Sequence, residues 1–144
     1  MYRSIVVGTD GSETAAEAVR KAADLAKATG GTVHVVSAYE PAAVKVAGGG
    51  GTEGSEFGVG PRSEVDALLQ QAAGIIRAQG ATAACYARRG DPADVIIDVA
   101  EEQNADAIVV GNKGMQSARR FLLGSVPDKI AHHAPCSVLI VKTT

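Results

Sequence analysis

Ala107-Ile108-Val109-Val110-Gly111 is an unbroken apolar run that ends on glycine, and its length suits a strand better than a helix. A strand that is apolar at every position is covered on both faces, the habit of parallel sheets flanked by helices. Ser4-Ile5-Val6-Val7-Gly8 has the same character. Between and beyond these two runs the hydrophobic period switches repeatedly between strand and helix.

After the first strand, Thr9-Asp10-Gly11-Ser12 breaks the pattern; Ser12 can cap a helix and Glu13 suits its positive end. Ala15, Val19, Ala22 and Ala26 give that helix an apolar face over 14–29, and Gly30-Gly31 stops it. Residues 32–39 read as the second strand. The stretch 40–61, with Gly48-Gly49-Gly50-Gly51, has no period and reads as a flexible surface loop, either a plain connector or a lid. Ser63-Glu64-Val65-Asp66 resembles a capping box and opens a helix that runs to about Gln79. A third strand covers 81–88. Asp91-Pro92 starts the next helix, with Val95, Ile96, Val99 and Ala100 on one face and Asn104 able to end it in a left-handed conformation. Ser125-Val126-Pro127-Asp128 starts a last helix that stops before Pro135, and 136–141 forms a fifth strand. Strands alternating with helices predict an α/β domain: a doubly wound, five-stranded parallel sheet with helices on both faces, residues 1–144 forming one domain.

Composition narrows the function. Apolar residues are 46% of the chain, enough for a core, while aromatics are only 3%, so the core is built from Ala, Val, Ile and Leu. A net charge of −2 and the lack of Trp argue against nucleic-acid binding, which runs on basic surface and stacking platforms. No apolar run approaches the roughly 20 residues a membrane helix needs. The first strand follows Met1 so closely that a signal peptide has no room, so the expected location is cytoplasmic. Cys85 and Cys136 are far apart and read as two buried thiols.

In a doubly wound sheet, ligands bind beyond the carboxyl ends of the strands, where strand order reverses. That brings together Gly8-Thr9-Asp10-Gly11-Ser12, Ser37-Ala38-Tyr39-Glu40, and the Gly111-x2-Gly114-x9-Gly124-Ser125 segment. Glycines let backbone N–H groups approach a ligand without a Cβ in the way. Gly124-Ser125 opens a helix, whose free N–H groups and partial positive charge suit a phosphate. Lys113, Arg119 and Arg120 make the loop locally basic. An ordinary glycine-rich connector with a serine cap would read similarly. Asp10 could accept hydrogen bonds from a ribose or help hold a phosphate-bound metal, or it could simply make an Asx-turn. Ala38 and Val36 could form an apolar slot for a base, or plain strand core.

Other chemistry finds little support. No Gly-x-x-x-x-Gly-Lys-Ser/Thr loop is present. His132 and His133 are adjacent and diverge by about 100° on a helix, and His34 reads as structural. No spacing suggests a nucleophile with its base.

Taken together, Val7-Gly8-Thr9-Asp10-Gly11-Ser12, the Gly111-x2-Gly114-x9-Gly124-Ser125 motif and the ending Pro135-Cys136-Ser137-Val138-Leu139-Ile140-Val141 resemble the universal stress proteins, in particular their ATP-binding branch. The likeness spans the chain outside 40–61 and is strongest to actinobacterial members. It implies an adenine nucleotide alpha hydrolase-like sheet in the order 3-2-1-4-5. It also implies nucleotide contacts from Thr9, Asp10, Ala38, Val110, Gly111, Asn112, Lys113, Gly114, Met115, Gly124, Ser125 and Val126, with Asp10 touching ribose or a phosphate-bound Mg²⁺. The implied ligand is ATP, with cyclic AMP the alternative, and the implied role is regulatory or stress-responsive, with at most slow ATP hydrolysis. A homodimer through strand 136–142 would cover an apolar edge. Two further readings stand beside these: a small ATP-dependent adenylating enzyme, and a nucleotide-free interaction dimer.

Overall fold

The protein is described by a computed structural model over residues 1–39, 62–112 and 124–143. Five strands and four helices alternate along the chain: β1 (Ser4–Gly8), α1 (Glu13–Thr29), β2 (Thr32–Tyr39), α2 (Arg62–Ala78), β3 (Thr82–Arg89), α3 (Pro92–Glu102), β4 (Ala107–Gly111), α4 (Ser125–His133) and β5 (Ser137–Val141). All strand pairs are parallel, in the order β3-β2-β1-β4-β5. This is the sheet the sequence predicts, and β1 and β4, its two fully apolar runs, lie at the centre.

The pleat divides the core. Ile5, Val7, Val33, Val35, Val109 and Val141 face α1 and α2. Val6, Val36, Ile108 and Val110 face α3 and α4. On α1 the buried face is Ala18, Val19, Ala22, Ala23 and Ala26, small side chains that let the helix settle close to the sheet. The caps form as their sequences require. Ser12 accepts the Ala15 N–H at 3.2 Å, Asp91 accepts that of Asp94 at 3.1 Å, and Gly30 ends α1 at φ +74°. Asn104 takes φ +51° just beyond α3.

Three expectations need correction. First, β5 begins at Ser137, not Cys136, because the chain bends through Pro135 and Cys136 before it can pair. Second, neither thiol is fully buried: Cys85 lies on edge strand β3, and Cys136 lies in that bend. Partial burial still pushes both thiols above their ordinary values. Third, α2 starts at Arg62, one residue ahead of the capping-box serine.

One interaction has no counterpart in the motif reading. The Asp106 carboxylate accepts the N–H groups of Arg3 and Ser4 at 2.8 and 3.0 Å, anchoring the start of β1 beside β4. These two bonds hold its carboxyl below the ordinary aspartate value.

Candidate functional site

The strand order reverses between β1 and β4, and a hollow of about 150 Å³ opens above their carboxyl ends. This is about the volume of a protein cavity that admits one benzene ring. One side is apolar: Val36 and Ala38 from β2, Val110 from β4, Pro92 and Ile96 from α3, and Val126 and Pro127 from α4. The other side is polar, built by Thr9, Asp10, Ser12 and Thr14 around the start of α1.

The polar side is stiffened by hydrogen bonds to β2 and within its own turn. The Thr9 N–H donates to the Val36 carbonyl at 3.0 Å, and the Ser37 hydroxyl donates to the Thr9 carbonyl at 2.8 Å. Asp10 Oδ1 accepts the Ser12 N–H at 2.9 Å. The Asx-turn reading of Asp10 is therefore correct, and it does not compete with the ligand reading: the exposed side chain still borders the hollow. Gly11 sits at φ +84°, a left-handed conformation that favours glycine, while a Cβ there would meet only the movable end of the Leu68 side chain.

Three helix N-termini surround the hollow, and they differ. Those of α1 and α3 are closed by the Ser12 and Asp91 side chains. At α4 the cap residue is Gly124, with no side-chain hydrogen bond to the helix. The Gly124 N–H is itself occupied, donating to the Asn112 carbonyl at 3.0 Å. It is thus removed from the expected set of free donors. The N–H groups of Ser125 and Val126 have no acceptor among the described residues, as expected for the first turn of a helix. Ser125 is exposed and Val126 lines the hollow.

Of the expected contact residues, Thr9, Asp10, Ala38, Val110, Gly111 and Val126 meet around this one hollow, with Gly124 and Ser125 adjoining Val126 in the chain. The Asn112 side chain is engaged elsewhere, its oxygen taken by Thr143. Lys113, Gly114 and Met115, like the 40–61 loop, lie outside the described residues. Gly8, Thr14, Ala15, Pro92, Ile96 and Pro127 line the hollow without having been singled out as contacts. The apolar face of α3 and its Pro at the first turn were visible in sequence, but not their place at this end of the sheet.

A doubly wound parallel sheet with a crevice at its switch point, and beside it a helix N-terminus that has no side-chain cap among the described residues, defines a class of α/β proteins. Within that class, the chain belongs to the Universal stress protein family, whose model matches residues 1–142. The universal stress protein Rv1636 of Mycobacterium tuberculosis is 35% identical over 99% of this chain and 98% of its own length. Among solved structures, a universal stress protein in complex with cAMP is 32% identical with a TM-score of 0.78, covering 99% of this chain and 98% of that one. The universal stress protein from Archaeoglobus fulgidus in complex with dAMP is 29% identical with a TM-score of 0.69, covering 96% and 97%. Both structures hold an adenine nucleotide. Among the described residues of this chain, no helix is long and apolar enough to cross a membrane.

Proposed function

We propose that the protein is a regulatory, stress-responsive binder of an adenine nucleotide, taking ATP in the hollow between β1 and β4 with its phosphates at the start of α4. The observation that carries this is the difference in capping. Of the three helix N-termini around the hollow, only that of α4 lacks a side-chain cap among the described residues, and the N–H groups of its Ser125 and Val126 find no acceptor there. The apolar slot formed by Val36, Ala38, Ile96 and Val110 suits a base, and the polar side with Asp10 suits a ribose. The two related structures that hold cAMP and dAMP support the choice of adenine.

Mg²⁺ would accompany the triphosphate. Among the described residues no group of three or more His, Cys, Asp or Glu could hold a metal alone. The ion would therefore be shared between Asp10 and phosphate oxygens, the usual manner for magnesium. Cyclic AMP is the second reading, favoured by the 32% identical relative whose structure contains it. A longer phosphate chain should gain more than a single cyclic phosphate from a basic loop such as the one in which the sequence carries Lys113 and Arg119. A homodimer through β5 would cover Leu139, which is 45% exposed on this edge strand; sedimentation at the mass of a monomer would remove that part.

The test is Ser125→Glu, with calorimetry against ATP-Mg²⁺ and cyclic AMP. Glutamate in the first turn favours the helix, so the fold should persist while the carboxylate repels phosphate. The expected result is affinity lower by about tenfold or more for the nucleotide that binds wild type. Equal affinities in variant and wild type would place the phosphates elsewhere.

A further inference from the structure

Asn112 stands where three parts of the chain meet. Its N–H donates to the Val141 carbonyl at 2.9 Å, joining the exit of β4 to the end of β5. Its carbonyl accepts the Gly124 N–H at 3.0 Å, joining the same exit to the cap of α4. Its side-chain Oδ1 accepts from the Thr143 N–H at 2.8 Å and from Thr143 Oγ1 at 2.9 Å. Two donors on one amide oxygen, from a residue 31 positions away, fix the rotamer of a side chain that would otherwise be free to turn. They also hold the backbone of Asn112 between its two other partners.

The consequence lies at α4. Gly124 precedes Ser125 and Val126, whose N–H groups are the open donors beside the hollow. The carbonyl that holds Gly124 therefore sets where those donors start. The geometry points to Asn112 as a positioning residue: through its clasp on Thr143 it holds the first turn of α4 in register with the hollow and ties the anion site to edge strand β5. This rests on the nucleotide reading above. It differs from a direct contact between the Asn112 side chain and ligand, because it makes affinity depend on Thr143, which does not line the hollow. Because coupling is reciprocal, bound nucleotide should in turn slow hydrogen exchange at the Thr143 amide.

The experiment is a double-mutant cycle in nucleotide affinity, with calorimetry against ATP-Mg²⁺ and cyclic AMP well below each variant's melting temperature. Thr143→Val removes one of the two donors and should weaken binding by about three- to tenfold, the scale of one lost hydrogen bond. Thr143→Ser restores the hydroxyl and should return the affinity. In an Asn112→Ala background, Thr143→Val should add nothing, since the two changes break the same contact. Additive effects, or wild-type affinity in Thr143→Val, would overturn the positioning role while leaving the nucleotide site intact. Wild type binding neither nucleotide would overturn the site and this inference together. Should Asn112→Ala fail to fold, the Val and Ser variants of Thr143 decide the matter alone.

Discussion

The N-termini of α3 and α4 lie on the same side of the sheet, both bordering the hollow, yet they are finished in opposite ways. Asp91 caps α3 with a carboxylate, while a proline removes one first-turn donor from each helix, Pro92 from α3 and Pro127 from α4. Lys129, reaching across from α4, places its ammonium 2.9 Å from Asp94 and 3.4 Å from Asp91. Both helices carry an acidic residue in the first turn, Asp94 in α3 and Asp128 in α4, but only α3 has a carboxylate as its cap. On α4 a glycine stands where α3 has its aspartate, and nothing in that residue can reach back to the helix. A carboxylate cap occupies the place an anionic ligand would take; a glycine leaves it open. Both helix ends supply wall, Pro92 and Ile96 from α3 and Val126 and Pro127 from α4, but only at α4 does the cap position carry no carboxylate.

If that division is right, changes at the α3 cap should act on stability and changes at the α4 start on affinity. The largest stability effect is expected from Ile96→Ala. Ile96 is 5% exposed and packs in the core beneath α3 as well as lining the hollow. Its truncation should cost about 2–4 kcal/mol in urea unfolding, the range for buried large-to-small changes. A loss below about 1 kcal/mol would mean that the hollow's wall is not part of the packed core. Next comes Asp91→Ala, which removes the α3 cap and should cost about 1 kcal/mol. Nucleotide affinity should stay close to wild type, in contrast to Ser125→Glu. A strong fall in affinity after Asp91→Ala would erase the distinction between the two helix ends.

The same contrast shows what sequence could and could not convey. Two helix starts were legible because they are local: Asp91-Pro92 and Gly124-Ser125 carry their signals within two residues, whereas the capping box at Ser63 misplaced the start of α2 and the cap of α4 is Gly124 rather than the serine. The central strands were legible because two apolar runs ending in glycine have few other readings. Strand order was not read from periodicity; the family resemblance supplied it. The contribution of α3 to the hollow was hidden for a geometric reason. The period of Val95, Ile96, Val99 and Ala100 identifies the buried face, but not that α3, entering from edge strand β3, crosses back over β2 and β1 and brings Ile96 against Gly8. The role of Asn112 was hidden because its partner, Thr143, meets it only after β5 has paired with β4.

The smallest expected effect lies further back on the face that forms the base slot. Val36 and Ala38 border the hollow, and His34, two residues before Val36, points to the same side of the sheet. It is 8% exposed, and its Nδ1 lies 2.9 Å from the Tyr86 hydroxyl. Beyond Tyr86, the half-buried Arg88 stacks over the Tyr86 ring and bonds the exposed Glu102 through its two terminal guanidinium nitrogens. Burial pushes the His34 imidazole below its ordinary value, so the unfolded chain holds that proton more tightly than the folded one. Stability should therefore be full above the ordinary histidine value of about 6.5 and decline as pH falls through it toward the lowered folded value. Asp106, held below the ordinary aspartate value, acts only in a more acidic range. Urea midpoints compared at pH 7.5 and 5.5 should fall in wild type and stay nearly level in His34→Gln. An equal fall in both would assign the dependence to surface groups. A fall confined to wild type, with nucleotide affinity unchanged when measured at the same two pH values, would limit the polar pair to folding and leave binding to the hollow beyond it.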